Sequence, residues 1–211
     1  MYRAQLKAGT RDAFIRALEE AGSPWGQRLR QRGLLTGTLF EREGGLFLYL
    51  ETADEDFKWD WPLNCLDFLE SWPGENGGRR LAVPMLDIYH DGEGEALESR
   101  RDGRNVRERI GSLARLKPEM YGSYIFYHYA QQEETPNSFN PTYIIGAHEN
   151  WIFSYHELPA PQGSRQSTRR TWPAPIAPTN WHEVMQPHFI PWSIGEQGPV
   201  LWVRMTALWT F

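Results

Sequence analysis

The second half of this chain repeats the order of its first half, and that constrains the fold more than any other feature. "QLK" at 5–7 is answered by "RLK" at 115–117, 110 residues later. "GGLFLYLE" at 44–51 is answered by "NWIFSYHE" at 150–157, 106 residues later. Trp72 is answered by Trp192, and "RLAVPM" at 80–85 by "VLWVRM" at 200–205, both 120 residues later. Pieces that recur in one order at a drifting offset mark a duplicated unit whose insertions fall in loops.

Each half has the same local grammar. "YRAQLK" alternates as a strand. Thr10 precedes a helix with Phe14, Ala17, Leu18 and Ala21 on one face, and "GSP" at 22–24 stops it before a second short helix to Arg32. "LLTGTLFER" and "LFLYLE" flank "EGG" as a hairpin, "WPLNCLDFLESW" is predicted as a helix, and "RLAVPMLDIYH" as an edge strand carrying Pro84. The second half follows with strand "RIGSLARLK", a helix opened by Pro118 and Glu119, hairpin "TYIIGAH" and "WIFSYHE", a weak helix in "NWHEVMQPHFIPW" broken at Pro187, and a closing strand "PVLWVRMTALWTF". The expected class is α+β, two tandem β-α-β-β-α-β ferredoxin-like units packed sheet to sheet as a pseudo-dimer within one chain. The expected boundaries are 1–90 for the first unit, 91–108 for a charged linker, and 109–211 for the second. Residues 158–180 are expected to form a long Pro- and Ser-rich loop.

Composition narrows the function classes. A net charge of −5 argues against a general nucleic-acid footprint. No apolar run reaches the ~20 residues needed to span a bilayer, and the N-terminus lacks a signal-peptide pattern. A lone cysteine, Cys65, fits a reducing compartment, so a cytoplasmic location is expected. Ten tryptophans and nine tyrosines are many for 211 residues; they serve either as core filling or as the walls of half-wet cavities.

The layout resembles the dimeric α/β-barrel superfamily, and within it the L-rhamnose mutarotase-like family. The resemblance is carried by "TGTLFEREGGLFLYLE" and "FLESWPG" leading to "PMLDIYH" in the first half, and by "LKPEMYGSYIFYH" in the second. Mutarotases of this family place a Tyr and a His four residues apart on the first helix. The resemblance therefore implies a Tyr124/His128 acid–base pair, a sugar as the small-molecule ligand, and no cofactor. In the first half Phe14 and Leu18 stand at those positions, so only the second half is expected to carry the site.

On a helix, Tyr121, Tyr124, Ile125 and His128 share one face. A neutral imidazole can take or give a proton near its ordinary pKa of about 6.5, and a phenol one turn away can hold the second proton. The alternative for His128 is a packed, backbone-bonded side chain. Tyr143, His148, Trp151 and Trp181 are further candidates for lining a ligand pocket. His182 and His188 in "WHEVMQPH" are six apart with Pro187 between, unlike the one-turn spacing of a zinc H-E-x-x-H helix. A metal held by His148, His156, His182 and His188 would need tertiary convergence, and none is expected. Glu51 and Glu157 are read as solvated strand ends, Cys65 as core, and Arg165, Arg169 and Arg170 as a solvated loop cluster. Three function classes stay open: a mutarotase-type isomerase or sugar binder, a cofactor-independent monooxygenase-like enzyme of the same superfamily, and a non-catalytic binding module. Further oligomerisation is compatible with each.

Overall fold

The computed structural model describes residues 1–91, 105–134, 140–161, 176–195 and 198–211. Most of the expected 91–108 linker, most of the 158–180 loop, and Arg165, Arg169 and Arg170 lie outside the described residues.

The protein is mixed α+β with antiparallel sheets, and its chain divides into two compact units. Of the described residues, 1–85 and 206–211 form unit 1, and those between 86 and 205 form unit 2.

In unit 1, β1 (Tyr2–Gln5) leads to α1 (Arg11–Gln31), which breaks at Gly22, where φ is 45° and ψ −145°. The notch falls inside the predicted "GSP" stop. β2 (Leu34–Arg42) and β3 (Gly45–Thr52) form a hairpin. The predicted second helix is only a 3-10 helix, Leu63–Phe68. It ends because Leu69 must bridge back to Leu6 on the sheet, leaving no length for further turns. The short strands β4 (Trp72–Pro73) and β5 (Arg79–Arg80) pair with each other, and β6 (Val83–Pro84) pairs with β1.

In unit 2, β7 (Leu86–His90) precedes β8 (Glu108–Leu116), α2 (Tyr121–Glu134), and the hairpin β9 (Ile144–His148) and β10 (Trp151–Leu158). Glu149, at φ 53°, makes the hairpin turn. The short α3 (Trp181–Met185) runs into a 3-10 turn over Gln186–His188, then β11 (Phe189–Ile190). β12 (Ser193–Gly195) pairs with β13 (Gly198–Val200), and β14 (Val203–Arg204) with β8. β15 (Thr206–Thr210) ends the described strands.

The sheet of unit 1 has the order β15-β2-β3-β1-β6, and that of unit 2 the order β11-β8-β10-β9-β7. The stretches predicted as single closing strands are therefore split. After Met85, β7 leaves β6 and joins β9; after Met205, β15 leaves β14 and joins β2. Each half thus supplies the edge strand of the unit built mainly by the other.

The pairing register recurs residue for residue. Arg3 faces Phe47 and Val83, while Leu113 faces Phe153 and Val203. Leu39 faces Leu48, and Ile145 faces Ser154. The edge strands repeat even an irregularity. β15 on β2 slips between Ala207 and Trp209, and β7 on β9 slips between Asp87 and Tyr89. A bulge is a specified feature of a ladder, so its recurrence at matched positions is a strong internal likeness.

The helix-side core of unit 1 is a tryptophan cluster. Trp25 lies 4.7 Å from Trp209 and 5.3 Å from Trp59, ring centre to ring centre, with Phe14, Leu18 and Cys65 fully buried beside it. In unit 2 the corresponding layer holds Ala114, Tyr124, Ile145, Ile152, Met185 and Phe189. Among the described residues no helix is long and apolar enough to cross a membrane.

On the opposite sheet faces, Glu51 and Glu157 correct the expectation of solvated strand ends. Both are buried, Glu157 completely. Each accepts the phenol of the tyrosine two residues earlier, Tyr49 for Glu51 and Tyr155 for Glu157, the latter at 2.7 Å. Residues two apart on a strand share a face, so the phenol is carried to the carboxylate by the pleat itself.

Candidate functional site

Unit 2 contains a cavity of about 510 Å³ between α2, the β9 strand and the α3 segment. Its inner wall is aromatic and polar-tipped, made by Tyr89, Tyr124, His128 and Tyr143. Gln131, His182 and Gln186 add polar groups, and Met185, Phe189, Leu201 and Trp202 form an apolar side. Volume and lining fall in the range of small-molecule pockets.

α2 positions the central pair. Tyr124 and His128 sit one turn apart on its sheet-facing side, with ring centres 4.1 Å apart. The imidazole is 5 % exposed, and its Nδ1–H donates to the Tyr124 carbonyl at 2.9 Å. That bond fixes the tautomer, leaving Nε2 as an acceptor with no hydrogen bond to a described residue. Trp181 meets the ring edge-on at 4.9 Å, and Tyr89 does so at 6.2 Å. Burial pulls the His128 pKa down to about 4, opposed by the backbone bond and reinforced by neighbouring His188. The ring is therefore neutral throughout the physiological range.

The phenols move the other way. Burial, and then the nearby Tyr143 phenol, hold Tyr124 well above the ordinary tyrosine value. Burial also raises Tyr143, against a hydrogen bond with Ser154. Both stay protonated and able to donate. One wall of the cavity thus presents a neutral acceptor nitrogen beside two donor hydroxyls.

His188 stands behind this wall. The Ser123 hydroxyl donates to the Met120 carbonyl at 3.0 Å and lies 2.8 Å from His188 Nε2. With its proton committed, Ser123 receives the His188 N–H, and His188 Nδ1 is buried without a hydrogen-bond partner among the described residues.

Of the residues singled out in the sequence, Tyr124, His128, Tyr143 and Trp181 come together around the cavity. Tyr121, His148 and Trp151 do not line it. Tyr121 is half-buried against the core beside it. His148 pairs with Trp151 across the hairpin end, and Trp151 packs 6.0 Å from Trp192, a ring that carries the Arg115 guanidinium at 4.4 Å. Tyr89 was missed because it lies in the first half of the sequence and enters unit 2 only through the donated strand. Gln131 lies one turn beyond His128 on the helix, a spacing that could have found it. Among the described residues, no three or more His, Cys, Asp or Glu side chains converge in a way that could hold a metal ion.

The same location in unit 1 is filled. Phe14 stands for Tyr124, Leu18 for His128, Gly37 for Tyr143, Trp209 for Tyr89 and Trp61 for Trp181. Trp209 occupies the space above Gly37, where an added Cβ would come within 3.0 Å of the indole. Polar tips in one unit are replaced by a dry core in the other.

No family model, no curated protein and no solved structure matches the chain.

Proposed function

We propose that this chain is an internally duplicated ferredoxin-like protein of dimeric α/β-barrel type whose unit 2 binds a hydroxylated ring, and that it interconverts sugar anomers as a mutarotase-like isomerase. The observation that carries this reading is the fixed His128 tautomer, which leaves Nε2 as an acceptor beside the Tyr124 and Tyr143 hydroxyls. Aromatic walls suit the C–H faces of a pyranose, and the polar tips suit its hydroxyls.

In the proposed reaction, His128 Nε2 takes the proton of the anomeric hydroxyl while the Tyr124 hydroxyl gives its proton to the ring oxygen. The bond between C1 and the ring oxygen breaks, and an open-chain aldehyde forms. Rotation about C1–C2 followed by the reverse transfers returns both protons and closes the other anomer. The imidazole is a weak base and the phenol a weak acid here, so the two transfers run in concert. A separated imidazolium and phenolate would be costly in a cavity of low polarity.

Exchange between the anomers of L-rhamnose and related sugars, measured by NMR, tests the reading. Acceleration over buffer that is lost in Tyr124→Phe and His128→Gln is expected. No acceleration across a sugar panel would reject the isomerase.

The apolar side made by Met185, Phe189, Leu201 and Trp202 favours a second reading, a cofactor-independent oxygenase acting on a polycyclic phenol. Substrate-dependent oxygen uptake by the purified protein would select it. Saturable binding of a sugar with neither activity would select the non-catalytic binding module.

A further inference from the structure

Unit 1 has its own opening, in a different place. A cavity of about 640 Å³ lies between β1, the 57–61 segment and the β4–β5 hairpin. Its apolar wall is built from Tyr2, Phe57, Trp59 and Trp61, and its charged side from Lys58, Glu75, Arg79 and Arg80. The halves differ in the size of a matched residue that lines a cavity in each. Ala82 lines this cavity, and Trp202, at the matched position 120 residues later, lines the His128 cavity of unit 2. In unit 1 Trp209 closes the inner location, and the small Ala82 side chain forms part of the wall of this other cavity.

The charges around this cavity do not cancel. Arg80 is paired with Glu75 at 2.6 Å, and Asp60 lies 3.5 Å from Arg32. Lys58 Nζ and the Arg79 guanidinium have no hydrogen-bond or ion-pair partner among the described residues. Two uncommitted cations thus border a wall of aromatic rings. Trp59 is half-buried and held edge-on at 90° to Trp61, so the wall is rigid. A flat ring can stack on such a wall while its anionic group meets a guanidinium fork and an ammonium.

We propose that this cavity is a second binding site, separate from the His128 cavity, and that it takes an aromatic carboxylate. The ring lies on Trp59 and Phe57, and the carboxylate reaches Arg79 with Lys58 as the supporting charge. A neutral ring of the same shape keeps only the stacking contribution.

Titration of the full chain with 2-naphthoate, followed by tryptophan fluorescence and by calorimetry, tests the proposal against 2-naphthamide as the uncharged probe. Saturable one-site binding of the carboxylate, at least about fivefold tighter than the amide and weakening with added salt, is expected. Arg79→Ala combined with Lys58→Ala should erase the difference between the two probes without changing amide binding. Ala82→Trp should abolish binding of both, with circular dichroism and the thermal transition confirming that the variant is folded. Tyr124→Phe should leave both affinities unchanged. Equal affinities for the two probes, carboxylate binding indifferent to the Arg79/Lys58 pair, or binding lost in Tyr124→Phe but kept in Ala82→Trp would overturn it. Failure of the sugar-exchange assay leaves this result unaffected, because the two experiments read different cavities.

Discussion

Gly37 on β2 and Tyr143 just before β9 occupy the same register position, and each meets the residue that follows a donated strand. The Gly37 carbonyl accepts the Phe211 N–H at 2.8 Å, and the Tyr143 carbonyl accepts the Asp91 N–H at 2.9 Å. One position carries no side chain and lies under an indole; the other carries a phenol and opens on a cavity. The difference between core and candidate site comes down to a few such exchanges within one backbone plan.

Gly37→Ala should destabilise the protein. Its Cβ would lie 2.8 Å from a Leu50 methyl and 3.0 Å from the Trp209 ring, in a layer with no room to give. A loss of about 1–3 kcal/mol is expected from overpacking, read as a lower urea midpoint with an unchanged slope. An unchanged midpoint would mean that the Trp209 contact is not tight.

His128 should make stability fall in mild acid. Its folded pKa of about 4 lies below the unfolded value of 6.5, so between these the unfolded chain binds more protons. The stabilisation is full above pH 6.5 and lost progressively as pH drops towards 4, by up to roughly 3 kcal/mol. His156 slopes the same way, its pKa lowered by burial first and Arg204 next. Urea midpoints measured across this range should flatten in His128→Gln but keep the weaker His156 component. A slope identical to wild type would show that the ring is solvated.

Leu18→His would put an imidazole where unit 1 is dry. Leu18 is 3 % exposed within an apolar cluster with Phe14 and Ala17, so an imidazole there buries polar nitrogens in an apolar layer. A cost of about 2–4 kcal/mol is expected in chemical denaturation, and no anomer exchange should be gained. A stable variant would reveal unsuspected space beside Phe14.

Glu157→Leu should cost more than Tyr155→Phe. The leucine removes both the acceptor of the Tyr155 hydroxyl and the carboxylate 3.7 Å from Arg109 Nε, whereas the phenylalanine leaves the carboxylate next to Arg109. The expected losses are about 3 kcal/mol against about 1 kcal/mol in thermal or urea unfolding. The reverse order would show that Tyr155, not Glu157, anchors the strand.

Removing residues 206–211 should unfold unit 1 preferentially, although every other residue of its sheet lies before residue 85. The deletion strips an edge strand together with Trp209 and Phe211, worth roughly 3 kcal/mol or more by burial alone. Hydrogen exchange should show lost protection in β2 before any loss in β8 and β10. Uniform loss in both sheets would contradict the separate units.

Much of the fold was legible because alternating strands and one strong helix per half announce themselves locally. The hairpins at 34–52 and 144–158, the helix through Tyr124 and His128, and the stop at Gly22 all follow from short-range pattern. The donated strands were not legible. "LDIYH" and "TALWT" read as strands, but nothing in five residues says which sheet they join. That choice is made by edge pairing at long range, and it also hid Tyr89 from the candidate site. The buried Glu51 and Glu157 escaped because a carboxylate at a strand end looks solvated until the tyrosine two residues back is seen on the same face. The Tyr124/His128 pair was legible from helical spacing. The cavity beside it was not, since it depends on Tyr143 and Tyr89 replacing a glycine and a tryptophan.

The exchanged edge strands also fix the order of events during synthesis. The sheet of the amino-terminal half stays one strand short until residues 206–210 leave the ribosome. The nascent protein therefore exposes the β2 edge for more than a hundred and fifty residues of elongation, with an unmet row of backbone groups that any other extended peptide could dock on. Completion of the amino-terminal sheet is thus deferred until a segment far downstream has been made.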